Sequence, residues 1–133
     1  MFYKCTSLTK ITIPAKVTKI GKSAFANCTK LSSVTIGKKV TTIGASAFYK
    51  CTALKKVTIP ASVKTIGASA FNGCKNLKSI TIKTTKLTSK TVGSKAFSGI
   101  HAKATIKVPS KKLAEYKKLL VSKGVKKTAT IKK

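Results

Sequence analysis

The chain has 133 residues, 42% of them apolar, so its length fits one domain and its composition supports a buried core instead of a disordered chain. All 29 basic residues are lysine and Glu115 is the one acid, which leaves a formal charge of +28 that must be solvated, screened or matched by a polyanion. No apolar run approaches the roughly 18–20 residues that span a bilayer, the first residues do not read as a secretory signal, and without arginine there is no bidentate fork for phosphate or guanine edges.

From its first residues the chain repeats itself every 23 positions. Phe2, Phe25, Phe48 and Phe71 keep that step, as do Cys5, Cys28, Cys51 and Cys74, then Leu8, Leu31, Leu54 and Leu77. Ile13, Ile36, Ile59 and Ile82 follow it, and Val17, Val40 and Val63 precede Ile20-Gly21, Ile43-Gly44 and Ile66-Gly67. Met1 stands in the alanine column, so the chain opens inside a repeat, and a cap or further repeats are expected ahead of it. The unit reads A-F-x-x-C-x-x-L-x-x-V/I-T-I-x-x-x-V-x-x-I-G-x-S-A-F. One unit is too short to bury its own apolar face, so successive coils must stack. The V/I-T-I segment alternates inward apolar with outward polar residues and predicts a strand; parallel strands of neighbouring coils then lie about 4.8 Å apart. The S-A-F-x-x-C stretch predicts a turn or short helix on the opposite wall, with Phe, Cys and Leu in the core and glycine supplying the bend before the next wall. After Ile82 three residues are inserted; the frame resumes at Val92-Gly93 and Ala96-Phe97, Ile100 takes the cysteine column, and Ile106 and Val108 occupy strand positions.

These columns, with Thr12-Ile13-Pro14 and Thr58-Ile59-Pro60 and the I-G-x-S-A-F joints, resemble the BspA-like leucine-rich repeats of bacterial surface proteins over about residues 1–108. The resemblance implies a leucine-rich-repeat solenoid: a parallel β-sheet on one wall, turns or short helices on the other. It also implies an extracellular or cell-surface setting and a role in adhesion or in binding host or wall components. The near absence of acidic residues departs from a typical member.

Residues 109–133 read as a separate capping segment. Ser110, after Pro109, is placed to N-cap a helix whose Leu113, Tyr116, Leu119 and Leu120 share one apolar face. Lys117 and Lys118 suit its C-terminal half, Gly124 can end it, and a short strand is expected at about Thr128–Ile131.

Candidate chemistry is sparse. The cysteines lack the short C-x-x-C spacing of zinc sites, and one coil apart their Cβ vectors run parallel, which suits a disulfide poorly. A small buried apolar role fits best, since the column accepts Ile100; reduced thiols sit awkwardly in an oxidising exterior unless the habitat is anaerobic. His101, expected at the surface in a turn, and Glu115 are the only general acid–base candidates of their types, so no paired carboxylates exist and a Ser-His-acid set would need both. No Gly-rich phosphate loop follows a strand, no cofactor is implied, and the chain reads as a non-enzyme.

The outward strand columns are the expected working surface: Lys10, Ser33, Lys56, Ser79 and Thr105 in one, Thr12, Thr35, Thr58, Thr81 and Lys107 in the next. Residues 1–82 hold 14 lysines and residues 83–133 hold 15, so charge thickens towards the C-terminus. There Lys111, Lys112, Lys117, Lys118, Lys123, Lys126 and Lys127 are the candidate contacts, against the plainer reading of a solvated helix kept soluble by its lysines. The expected partner of all these lysines is an anionic polymer, such as a teichoic acid or acidic glycan, or an acidic protein. Non-specific nucleic-acid binding is the alternative, weakened by the missing arginine and tryptophan and by aromatics confined to core columns. A structural spacer that self-associates end to end through its open N-terminal face is a third reading.

Overall fold

The computed structural model describes residues 5–133; Met1 and Phe2, on which the opening register rests, lie outside the described residues. Strands β1 (Lys10–Thr12), β3 (Ser33–Thr35), β5 (Lys56–Ile59), β7 (Ser79–Ile82), β8 (Thr105–Lys107) and β9 (Thr130–Lys132) form one sheet in that order, every pair parallel. Equivalent residues face each other without slip, as in Ile11↔Val34 and Ile80↔Ile106. The V/I-T-I strands are therefore where the pattern put them, and the late strand, expected at about Thr128–Ile131, forms at Thr130–Lys132. A second parallel sheet, unforeseen in the sequence, joins β2 (Lys19–Ile20), β4 (Thr42–Ile43) and β6 (Thr65–Ile66), built from the V-x-x-I-G segments. It gains a further bridge, Ile66↔Val92, at the residue where the frame resumes after the insertion.

Among the described residues the third wall is a ladder of turns with no helix in it. Alternate N–H groups bond within the coil and to the next one: Cys28 donates to the Phe25 carbonyl at 3.2 Å, whereas Phe25 donates to Ala47 at 2.8 Å. Phe48 to Ala70, Phe71 to Ala96 and Phe97 to Lys123 repeat the inter-coil bond. The ladder bends through left-handed residues at Ser23, Ser46, Ser69 and Lys95, with φ between 56° and 59°, and at Asn27, Lys50, Gly73 and Gly99. Inside it Phe25, Phe48, Phe71 and Phe97 stack with centroids 5.3–5.5 Å apart and planes within 8°. The Phe, Leu, Cys, Ile and Val columns fill one continuous core.

The bend reading of the I-G glycines is corrected. Gly44, Gly67 and Gly93 do not adopt positive φ. A Cβ on Gly44 would stand 2.7 Å from the Gly21 carbonyl carbon, on Gly67 2.3 Å from the Ala45 nitrogen, and on Gly93 2.2 Å from the Ala68 nitrogen. Close approach of successive backbones, not turn geometry, reserves this column for glycine.

The C-terminal segment closes on the last coil. Ser110 makes no side-chain cap; it lies inside a 3-10 turn, Ser110–Lys112, which leads into α1 (Leu113–Ser122). Tyr116, Leu119 and Leu120 are buried, Leu113 packs against them, and Gly124, with φ of 112°, follows the helix end. Tyr116 also organises the insertion. Its hydroxyl donates to the Thr84 carbonyl at 2.8 Å and accepts the Leu87 N–H at 3.2 Å, while the Thr84 hydroxyl donates to the Val63 carbonyl at 2.6 Å.

Two predictions follow from this packing. Gly67→Ala should cost about 1–3 kcal/mol in urea unfolding through overpacking. Gly21→Ala, whose added Cβ meets nothing within 4 Å, should stay within about 0.5 kcal/mol of the parent. Equal losses at both sites would remove the close-approach explanation. Tyr116→Phe strips two buried backbone groups of their partner and should cost about 1–3 kcal/mol by the same measurement.

Candidate functional site

The outer face of the larger sheet carries the two expected columns in register. Lys10 pairs with Ser33, Ser33 with Lys56 and Lys56 with Ser79, so the two lysines stand two strands, about 9.6 Å, apart. In the neighbouring column Thr12, Thr35, Thr58 and Thr81 lead to Lys107, which faces Lys132 directly. Lys132 escapes the sequence reading because the register of the final strand is invisible without its partner. Their backbones lie one strand spacing, about 4.8 Å, apart; unit charges held at that distance would repel by roughly 0.9 kcal/mol in water, a repulsion that an anion between the two side chains would relieve.

The seven C-terminal lysines do not form one patch. Lys117, Lys126 and Lys127 line a groove of about 440 Å³ between α1 and β9, beside Val121, which is 41% exposed. Lys118 lies on another groove, with Thr88 and Ser89 of the insertion. Lys111 is exposed on the 3-10 turn. Lys112 pairs with Glu115 at 3.3 Å, and the Lys123 ammonium donates to the Ser89 carbonyl at 3.0 Å, so these two act first as local ties.

A further basic site shares Lys56 with the first column; its other lysines, Lys38 and Lys83, were not foreseen. Between β3 and β5 the ladder shrinks to one pair, Ser33↔Lys56, where β5 and β7 share four. The opening is a cleft of about 610 Å³ on the sheet side, flanked by Lys38, Lys56 and Lys83 and by Thr35, Thr58 and Ser62. Lys38, Lys56 and Lys83 are all exposed, and none has a carboxylate partner among the described residues.

The reactive side chains are occupied structurally. Cys51 donates its thiol to the Phe25 carbonyl at 3.1 Å and Cys74 to that of Phe48 at 3.0 Å, each reaching back one coil. The column is thus more than a small apolar filler: it adds a weak bond per joint, which Ile100 forgoes. Burial pushes all three inner thiols up, Cys51 to about 12 and Cys74 further, with the thiol one coil earlier adding to the rise. His101 is half-buried in its turn and accepts the Lys103 N–H on Nδ1 at 3.0 Å, away from any tie to Glu115, which holds Lys112. Among the described residues no group of three His, Cys, Asp or Glu side chains is arranged to hold a metal ion, and no helix is long and apolar enough to cross a membrane.

The sequence pattern of the BspA type leucine rich repeat region matches residues 1–118 in six copies. No curated protein matches the chain. Among solved structures it is similar to a leucine-rich repeat protein from Bacteroides ovatus, at 29% identity and a TM-score of 0.79 over 98% of this chain and 31% of that one. It is also similar to the pneumococcal vaccine antigen PcpA, at 25% identity and a TM-score of 0.69 over 98% of this chain and 36% of that one. A leucine-rich cell surface protein from Faecalibacterium prausnitzii shares 27% identity and a TM-score of 0.62 over 82% of this chain and 38% of that one. The chain therefore spans about a third of the length of these proteins.

The raised thiols make stability depend on pH. Below their ordinary value of 9.0 the buried, protonated file contributes fully; as pH climbs from there towards about 12 the unfolded chain ionises first and that contribution is lost. The stability advantage of the parent over Cys51→Ala/Cys74→Ala should shrink between about pH 8 and pH 10.5, a comparison that cancels lysine titration. An advantage that stays flat would show that these thiols do not ionise on unfolding in that range.

Proposed function

The chain belongs to the BspA-type leucine-rich repeat family, and on that premise we propose that it is a non-catalytic interaction module, exposed at a cell surface or secreted, whose lysines contact anionic polymers or acidic proteins. One observation carries the reading. Glu115 is the only acid, and it is already engaged by Lys112, so the remaining positive charge has no internal counterpart. Charge of one sign spread over a rigid stack raises the local concentration of a polyanion before any specific contact forms. The neighbours described as a vaccine antigen and as a cell surface protein support the setting. Residues 109–133 serve in this reading as the C-terminal cap, since α1 and β9 cover the last coil. Nucleic acid is the weaker partner, because Phe25, Phe48, Phe71 and Phe97 are buried and offer no stacking platform.

The decisive measurement is retention on wall preparations and on immobilised acidic glycans at about 0.15 M salt, where exposed charges beyond about 8 Å are already screened. The parent should be retained and a lysine-acetylated sample should pass through; equal behaviour of the two would sink the reading. A second reading, end-to-end stacking, draws on an apolar recess of about 320 Å³ at the first described coil, lined by Ile11, Pro14, Val17, Ile20 and Phe25. Sedimentation should then show concentration-dependent growth, and a strict monomer would exclude it for this chain.

A further inference from the structure

The geometry points to the cleft between β3 and β5 as a binding site for an anionic sugar unit of an acidic polysaccharide.

The cleft has a cause in the sequence. Between coils three and four the strand ladder ends on the Lys83 N–H, which donates to the Ile59 carbonyl at 2.9 Å. One coil earlier the equivalent residue is Pro60, which has no N–H to offer the Ile36 carbonyl. On the other side Gly37 stands where neighbouring coils carry Pro14 and Pro60. A Cβ there would come within 3.1 Å of the Ile13 and Pro14 carbonyl oxygens, so glycine lets this coil lean on the one before it. Ile13 donates to the Thr35 carbonyl at 2.8 Å and holds it there. On this wall coil two thus closes on coil one and parts from coil three past Ser33↔Lys56, while the second sheet and the turn ladder keep the same joint closed. The parting is specific to this joint: β1 and β3 share three pairs, β5 and β7 four, β3 and β5 one.

The lining selects the ligand. Lys38, Lys56 and Lys83 surround the opening, none of them paired with a carboxylate among the described residues, which calls for an anion. Thr35 and Thr58 bring exposed hydroxyls from the facing strands, and Ala61 supplies an exposed apolar side beside the buried Pro60. A pyranose presents the same combination, hydroxyl edges beside a C–H face, and a carboxylate or sulfate on it would answer the lysines. The volume of about 610 Å³ lies within the range of small-ligand pockets. An extended acidic peptide is disfavoured, because β3 and β5 are each already paired on their far side, to β1 and β7, and the gap is too short an edge to add a strand. Lys83 also lines the shallow recess beside Lys107, so a polymer leaving the cleft would meet further positive charge.

This assignment rests on the proposed anionic partner and adds the place and the class. The test compares Lys38→Gln/Lys56→Gln/Lys83→Gln with Lys117→Gln/Lys126→Gln/Lys127→Gln; each lowers the charge from +28 to +25 at exposed positions. Tetragalacturonate and a heparin-derived tetrasaccharide are titrated calorimetrically at about 0.15 M salt, one arm for carboxylate and one for sulfate, with poly-glutamate as the acidic-peptide control. The cleft triple should weaken at least one oligosaccharide by tenfold or more, and the C-terminal triple by less than threefold. Equal weakening by both triples would overturn the cleft and leave diffuse attraction standing. Binding of poly-glutamate alone would overturn the sugar class and keep an acidic-protein partner. If the parent binds none of the three, this proposal falls, and the wall and glycan retention assay decides the broader reading separately. Amide shifts of Thr35, Thr58 and Ala61 on titrating the parent supply a second readout; shifts spread evenly over the sheet would also overturn the proposal.

Discussion

Everything in this molecule depends on one spacing: successive coils must approach to about 4.8 Å along the stack, because no coil has an interior of its own. The glycine file shows how tightly that spacing is enforced. At Gly67 and Gly93 even a methyl group would stand 2.3 and 2.2 Å from the backbone of the preceding coil. The aromatic file obeys the same step on the inside, at 5.3–5.5 Å between ring centres, and survives the insertion after Ile82 because Phe97 still lands on Phe71. The inserted stretch is held inward: Thr84 and Leu87 are buried, and Tyr116 ties their backbone down from the next element.

Stacking has an electrostatic consequence. A residue type favoured at one outward position recurs at one strand spacing, so lysines that would be dispersed on a globular surface are forced into files. At 4.8 Å each such pair costs roughly 0.9 kcal/mol in water, about twice the cost at two spacings. The Lys10, Ser33, Lys56, Ser79 alternation takes the cheaper arrangement, and Lys107 facing Lys132 takes the dearer one. Glu115 relieves none of this on the sheet, since it pairs within the C-terminal segment. Counterions or a polyanion must do so.

Much of this fold was legible in the columns, since a fixed period with fixed apolar positions leaves few ways to hide those residues. The strands, the Phe and Cys files, the resumption at Val92 and the apolar face of α1 were all readable. What escaped depends on partners remote in sequence. The second sheet arises because V-x-x-I-G segments pair across coils, although each strand is only two residues long and shows no period of its own. The role of Tyr116 needs the Thr84 carbonyl, 32 positions away. Ser110 had the right chemistry for a cap, yet the chain enters α1 through a 3-10 turn and leaves that hydroxyl unused. At the candidate site Lys10, Lys56 and Lys107 fell on the sheet face as read, while the C-terminal lysines divided among separate grooves because a helix, a turn and a strand point them apart.

The site that a column reading overlooks is one that the columns themselves define by exception. A regular joint between coils is closed by a backbone bond, so its outer surface is smooth and offers little to grip. A recess requires a local departure, and departures in a repeat are visible only as residues that break a file: Gly37 among prolines, Pro60 where Lys83 later donates. Each is unremarkable alone, because proline and glycine are common at the end of a strand. Together they act on one joint from both sides, one removing a donor and the other permitting a closer lean towards the opposite neighbour. Conserved spacing therefore builds the stack, and its interruption shapes the surface. In a solenoid of this kind the inward columns answer to packing, and the irregular outward ones are where recognition has room to arise.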